Sequence, residues 1–126
     1  MSAEDLRNNP EIRAIFLTEA RKRLQDVAQI LDKGRVPPPD SDDFAVLHRH
    51  AHTFKGLSAT LGYPEMEAHS LEILYHLRDL RAAAAKKGPR APEGEARDER
   101  MAREILEDFA KIMADIKAIA EGDVEA

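Results

Sequence analysis

The sequence has no cysteine, which excludes disulfides and thiolate chemistry. Aromatic residues make up only 5%. No apolar run approaches the ~20 residues that a membrane-spanning helix needs. The N-terminus lacks the apolar core of a signal peptide. Net charge is −5, so no basic excess marks a nucleic-acid or anionic-membrane binder. A P-loop, a dinucleotide-binding glycine fingerprint and an acidic cluster for Mg²⁺ are also missing. Tight nucleotide binding is therefore not expected. No internal repeat and no strand pattern stands out. These absences lead to the expectation of a cytoplasmic protein with no cofactor or metal of its own.

What is present is helix-forming. The chain has 126 residues, 43% hydrophobic and 34% charged, and Ala, Glu, Leu and Arg dominate. That composition is enough for one domain spanning residues 1–126, with one core under a charged surface. Four helices are predicted from apolar spacing, at about 10–33, 41–61, 64–87 and 97–120. Asn9-Pro10-Glu11 gives the first a cap, a first-turn proline and an acid at the positive end. Its stripe is Ile12, Phe16, Ala20, Leu24, Val27 and Leu31, and Gly34 ends it. Val36-Pro37-Pro38-Pro39 is a stiff linker. Ser41-Asp42-Asp43 caps the second helix, whose stripe is Phe44, Leu47, Ala51, Phe54, Ser58 and Leu61. Gly62 closes it, and Pro64-Glu65 opens the third. Met66, Ser70, Ile73, Leu77, Leu80 and Ala84 form the third stripe. Residues 88–96, rich in Gly and Pro, read as a mobile loop. Met101, Ile105, Phe109 or Ile112, Ile116 and Ile119 form the fourth seam. The expected fold is an all-α, antiparallel, up-down-up-down four-helix bundle.

Within the second helix, His52-Thr53-Phe54-Lys55-Gly56 breaks the pattern. A glycine inside a helix costs roughly 0.5–1 kcal/mol relative to alanine. Gly56 shares a face with His52 one turn away, and Lys55 adds a cation beside the same ring. His48, His52 and Lys55 each follow a core residue by one position. They therefore share a flank rotated about 100° from the seam, which Ala45, Ala59 and Gly62 leave uncrowded. A reachable histidine beside a cation suits transient phosphoryl transfer. His50 lies on another flank with Val46, Thr53 and Leu57. It and His76 read as ordinary surface histidines, and His69 as structural or incidental.

Folding the second and third helices about Gly62-Tyr63 sets position 52 level with position 73. His69 and Glu72 then fall within a turn of His52, and His76 falls level with His48 or Arg49. Glu72 is expected to accept a hydrogen bond from one ring nitrogen of His52 and leave the other as nucleophile.

The stretch His52-Thr53-Phe54-Lys55-Gly56-Leu57-Ser58-Ala59-Thr60-Leu61-Gly62 resembles the H-x-x-K-G-x-S/A-x-x-x-G signature of histidine phosphotransfer (HPt) domains. Ile15-Phe16-Leu17-Thr18-Glu19-Ala20 resembles the opening helix of the phosphotransfer domain in CheA-type chemotaxis kinases. His69-Ser70-Leu71-Glu72 resembles the H-x-L-E of their third helix. The similarity covers roughly residues 10–85. It implies that His52 is phosphorylated, that Lys55 assists electrostatically and that Gly56 leaves the partner room. It also implies His69 and Glu72 beside the site. Between Gly62 and His69 the chain is about two residues shorter than the CheA pattern. Two residues rotate a helix by about 200° unless the turn absorbs them.

The resemblance implies a phosphoryl carrier in a two-component phosphorelay. A histidine kinase catalytic domain or a receiver aspartate donates, and a response-regulator receiver aspartate accepts. ATP and Mg²⁺ belong to those partners. The chain alone is a phosphoacceptor rather than a catalyst, in the manner of a kinase's phosphotransfer domain. Nucleic acid and membrane are not expected partners. A rival reading is a metal-binding bundle, in which His48 and His52 chelate Zn²⁺ with His69, Glu72 or His76 across the interface. No Glu-x-x-His pair occurs, as a di-iron bundle would need. A structural adaptor bundle is a third reading, but it leaves Lys55-Gly56 beside an open histidine without a role. Leu57 is a candidate for a docking patch.

Overall fold

The computed structural model describes residues 2–86 and 91–122. Its regular structure is helical, with no strand among the described residues. The elements are α1 (Ala3–Asn8), α2 (Pro10–Ile30), α3 (Asp42–Leu61), α4 (Pro64–Ala85) and α5 (Pro92–Glu121). The apolar stripes of the four long helices meet in one core. Phe16, Ala20, Leu24 and Val27 come from α2, and Phe44, Leu47, Ala51, Phe54 and Leu61 from α3. Met66, Ile73, Leu77 and Leu80 come from α4; Met101, Ile105, Phe109, Ile112, Ile116 and Ile119 come from α5. Burying a side chain of this size contributes about 1.5–3 kcal/mol, so the seams dominate the fold. Two serines sit in the core at no hydrogen-bonding loss. Ser58 Oγ donates to the Phe54 carbonyl at 2.6 Å, and Ser70 Oγ donates to the Met66 carbonyl at 2.8 Å.

The caps follow the sequence. Asn9 Oδ1 accepts from the backbone N–H groups of Glu11 and Ile12. Ser41 Oγ accepts from Phe44 N at 3.2 Å. Gly62 ends α3 in the left-handed conformation, φ 75°. Gly62 and Tyr63 alone separate α3 from α4, and Tyr63 is buried against Phe16, ring centroids 5.7 Å apart. The two helices run in opposite directions, because Arg81 near the end of α4 lies over the ring of Phe44 at the start of α3.

Several boundaries differ from the sequence expectation. The first long helix stops at Ile30 rather than 33, with Leu31 as its cap and a turn to Gly34. Ala83, not Ala84, is the buried alanine near the end of α4. The fourth long helix begins at Pro92 rather than Arg97. Proline is suited to the first helical position, and Glu93 and Glu95 complement the helix N-terminus. Residues 92–96 of the expected loop are thus helical, and Gly94 is tolerated within them; residues 87–90 lie outside the described residues.

Helix α1 was not expected. Ser2 and Asp5 make a reciprocal capping box: Ser2 Oγ accepts from Asp5 N, and Asp5 Oδ2 accepts from Ser2 N. Arg7 then donates from Nη1 to the Leu61 carbonyl at 2.9 Å. Helix α1 therefore covers the α3–α4 turn. At the same end of the molecule, the Arg13 guanidinium on α2 donates to the Ile119 carbonyl of α5.

Candidate functional site

His52 is exposed on α3 between the buried residues Ala51 and Phe54. Its backbone is held by one of the best-packed helices, while its ring faces solvent. One turn further, Gly56 is also exposed, and a Cβ added there would meet no heavy atom of the described residues within 4 Å beyond the local helix backbone. Gly56 is therefore not a close helix–helix contact. Lys55 is half-buried beside it. The Lys55 carbonyl accepts a second hydrogen bond from Ser58 Oγ at 3.0 Å, which ties the backbone beneath the site to the core.

His48 is half-buried on the same flank. Burial lowers its pKa, and the nearby charges of Arg81 and His52 lower it further. Arg81 of α4 thus brings a second cation to the flank that carries His48 and His52. The sequence reading missed it. The available signal was its position immediately after the core residue Leu80.

The expected pairing of His52 with His69 and Glu72 is corrected by the structure. His69 Nδ1 lies 3.6 Å from Asp108 Oδ1 on α5. Glu72 Oε1 lies 3.4 Å from His76 Nε2, and His76 Nε2 lies 2.9 Å from Glu104 Oε2. All three α4 residues point to the α5 seam, and among the described residues no hydrogen bond or ion pair joins them to His52. The reason is rotational. His48, His52 and Lys55 follow core positions of α3 by one residue, whereas His69, Glu72 and His76 precede core positions of α4 by one. Two neighbouring antiparallel helices turn flanks of the same sense toward each other. Leu71, Leu74, Arg78 and Arg81 hold the matching positions on α4, and Arg81 is indeed the residue at His48. The metal reading that joined His48 and His52 to His69, Glu72 or His76 fails for the same reason.

His50 is not a surface histidine. It is 4% exposed, enclosed between α3 and α2. Arg23 Nη1 lies 3.1 Å from its Nδ1, and Asp26 Oδ2 lies 3.3 Å from its Nε2. A guanidinium only donates, so Nδ1 accepts and the ring proton sits on Nε2. Burial lowers the His50 pKa, with Arg23 adding to the effect and Asp26 opposing it. Leu57, on that same flank, is partly buried and packed against the core.

The α4–α5 seam holds the other concentration of titratable groups. Asp108 is buried, and burial raises its pKa, with Glu72 raising it further and His69, Lys111 and His76 opposing. Burial also raises the pKa of Asp115, against the effect of His69. One ligand atom each from Glu72, His76 and Glu104 lie within 4.8 Å of one another.

Two surface grooves lie away from His52. One is lined by Val36, Pro37, Leu80 and Ala83, the other by Leu24, Ala28, Met113 and Ile116. No helix among the described residues is long and apolar enough to cross a membrane. A family model of the Hpt domain matches residues 11–118. No curated protein and no solved structure matches the chain.

Proposed function

The chain belongs to the Hpt domain family, whose members are phosphotransfer carriers in phosphorelays, and on that footing we propose that His52 is the residue that carries the phosphoryl group. The observation that carries this reading is the pairing of an exposed imidazole with the open space over Gly56. Hpt domains work with histidine kinases and response regulators, so the reacting group must be reachable by another protein's active site. A convex helix face cleared of side chains allows that approach. The four long helices supply the rigid mount, which we read as an antiparallel up-down-up-down bundle with α1 as an addition.

In the forward step a ring nitrogen of neutral His52 attacks the terminal phosphorus of the donor. The N–P bond forms, the bond to the donor's leaving oxygen breaks, and the other ring nitrogen releases its proton to solvent. In the second step a receiver aspartate oxygen attacks the same phosphorus, the P–N bond breaks, and the imidazole takes up a proton. Phosphoryl transfer depends mainly on positioning and charge stabilisation. Lys55 and Arg81 supply positive charge on this flank, and ATP, Mg²⁺ and the receiver's acid residues come with the partners. The CheA-like opening helix, Ile15 to Ala20, favours a chemosensory kinase as donor and the cytoplasm as the place of action. A purely structural adaptor would leave the clearance beside His52 without a purpose.

His52→Gln tests the assignment. The variant should keep the helical circular-dichroism signal and lose all acid-labile, base-stable phosphate after incubation with a histidine kinase domain or acetyl phosphate. Phosphohistidine persisting in the variant would move the site to another histidine.

A further inference from the structure

We propose that Glu72, His76 and Glu104 form a binding site for a divalent transition-metal ion of the zinc class, clamping α4 to α5. Glu72 and His76 are one turn apart on α4, and Glu104 faces them from α5. A tetrahedral ion with bonds of ~2.0–2.1 Å holds neighbouring ligand atoms roughly 3.3–3.4 Å apart. The His76 nitrogen lies 3.4 Å from the Glu72 oxygen and 2.9 Å from the Glu104 oxygen. An ion could therefore take the place of the imidazole proton with only small side-chain movements. One imidazole and two carboxylates make a nitrogen–oxygen donor set suited to zinc. Glu72 is about half exposed, so the fourth position opens to water.

A buried carboxylate lies on the same α4–α5 seam. Asp108 lies one turn beyond Glu104 and is 2% exposed, yet its Oδ2 has no hydrogen-bond partner among the described residues. Glu72 and His76 are close enough to act on its charge. Asp108 Oδ1 faces His69 Nδ1 at 3.6 Å, and a dication on the neighbouring ligands would add a further opposing charge to this buried carboxylate. The seam lies on the α5 side of α4, away from the flank that carries His52. The site is thus separate from the phosphoryl chemistry.

Chelator-stripped protein titrated with ZnCl₂ by calorimetry at pH 7.5 tests the proposal. One ion per chain and a raised Tm are expected. His76→Gln should abolish the binding, and Glu104→Gln, which keeps the side-chain shape, should weaken it by about tenfold or more, as losses around a metal do. The His48→Gln, His52→Gln double variant should still bind zinc. Absence of saturable binding would show that His76 only bridges the two carboxylates by hydrogen bonding. Binding that survives His76→Gln in a folded variant, or that disappears in the α3 double variant, would also overturn the site.

Discussion

His52 and Gly56 share one exposed face of α3, a turn apart, and among the described residues no atom beyond the local helix backbone lies within 4 Å of the point where a side chain at 56 would begin. The glycine therefore meets no packing demand among the described residues. Gly56→Ala should stabilise the free protein by about 0.5–1 kcal/mol, the ordinary helix-propensity gain. Gly56→Leu should also fold, as judged by circular dichroism and urea unfolding. It should slow transfer between His52 and its protein partners, with phosphorylation by acetyl phosphate less affected. Normal transfer with protein partners would show that this face is not where they dock.

Lys55→Ala should slow transfer without abolishing it. A cation at the protein surface contributes about 0–1 kcal/mol, which corresponds to a rate loss of up to about fivefold. The effect should shrink as salt is raised, because screening weakens it. Rates identical to wild type at low salt would remove Lys55 from the mechanism.

The ring of His50 lies between Arg23 and Asp26, with its folded-state pKa lowered chiefly by burial. Below its ordinary value of about 6.5 the unfolded chain binds the proton more readily than the folded one. The His50 contribution to stability is therefore present above that pH and is lost as pH falls below it. Urea unfolding at pH 8 and pH 5 should show a smaller pH-dependent loss for His50→Gln than for wild type. Equal losses would mean that His50 is not a source of acid sensitivity.

Gly62 is constrained twice. Its φ of 75° is left-handed, and an added Cβ would come within 2.7 Å of Arg7 Nη1 and 3.1 Å of Ala3 Cβ. The Arg7 tip can swing away, but α1 must then loosen its hold on the α3–α4 turn. Gly62→Ala should cost about 1–2 kcal/mol from the left-handed backbone alone. Urea midpoints would measure the loss, and increased amide exchange across residues 3–8 would report the loosening. A variant as stable as wild type would contradict this account of the turn.

The sequence by itself determined α3 almost to the residue. Ser41 caps it, the three-and-four spacing from Phe44 to Leu61 buries one face, and Gly62 ends it. These are local effects, written in residue order. His52, Lys55 and Gly56 were legible for the same reason, since one helix carries them all. The first-turn proline of α5 and the capping box of α1 were equally local signals that the reading passed over.

Tertiary structure alone decided which flank met which neighbour. Periodicity says which side of a helix is apolar, but the two sides next to it are equivalent until the helices are assembled. Gly62 and Tyr63 are the whole connection between α3 and α4, so the rotation of α4 is set there and by packing along the seam. That rotation sends Arg81 to His48, and His69, Glu72 and His76 to α5. The burial of His50 and Asp108 was likewise decided in three dimensions. A polar group is held in an interior only where another element brings it a partner or an opposing charge, and Arg23, Asp26 and His69 are distant from them in sequence.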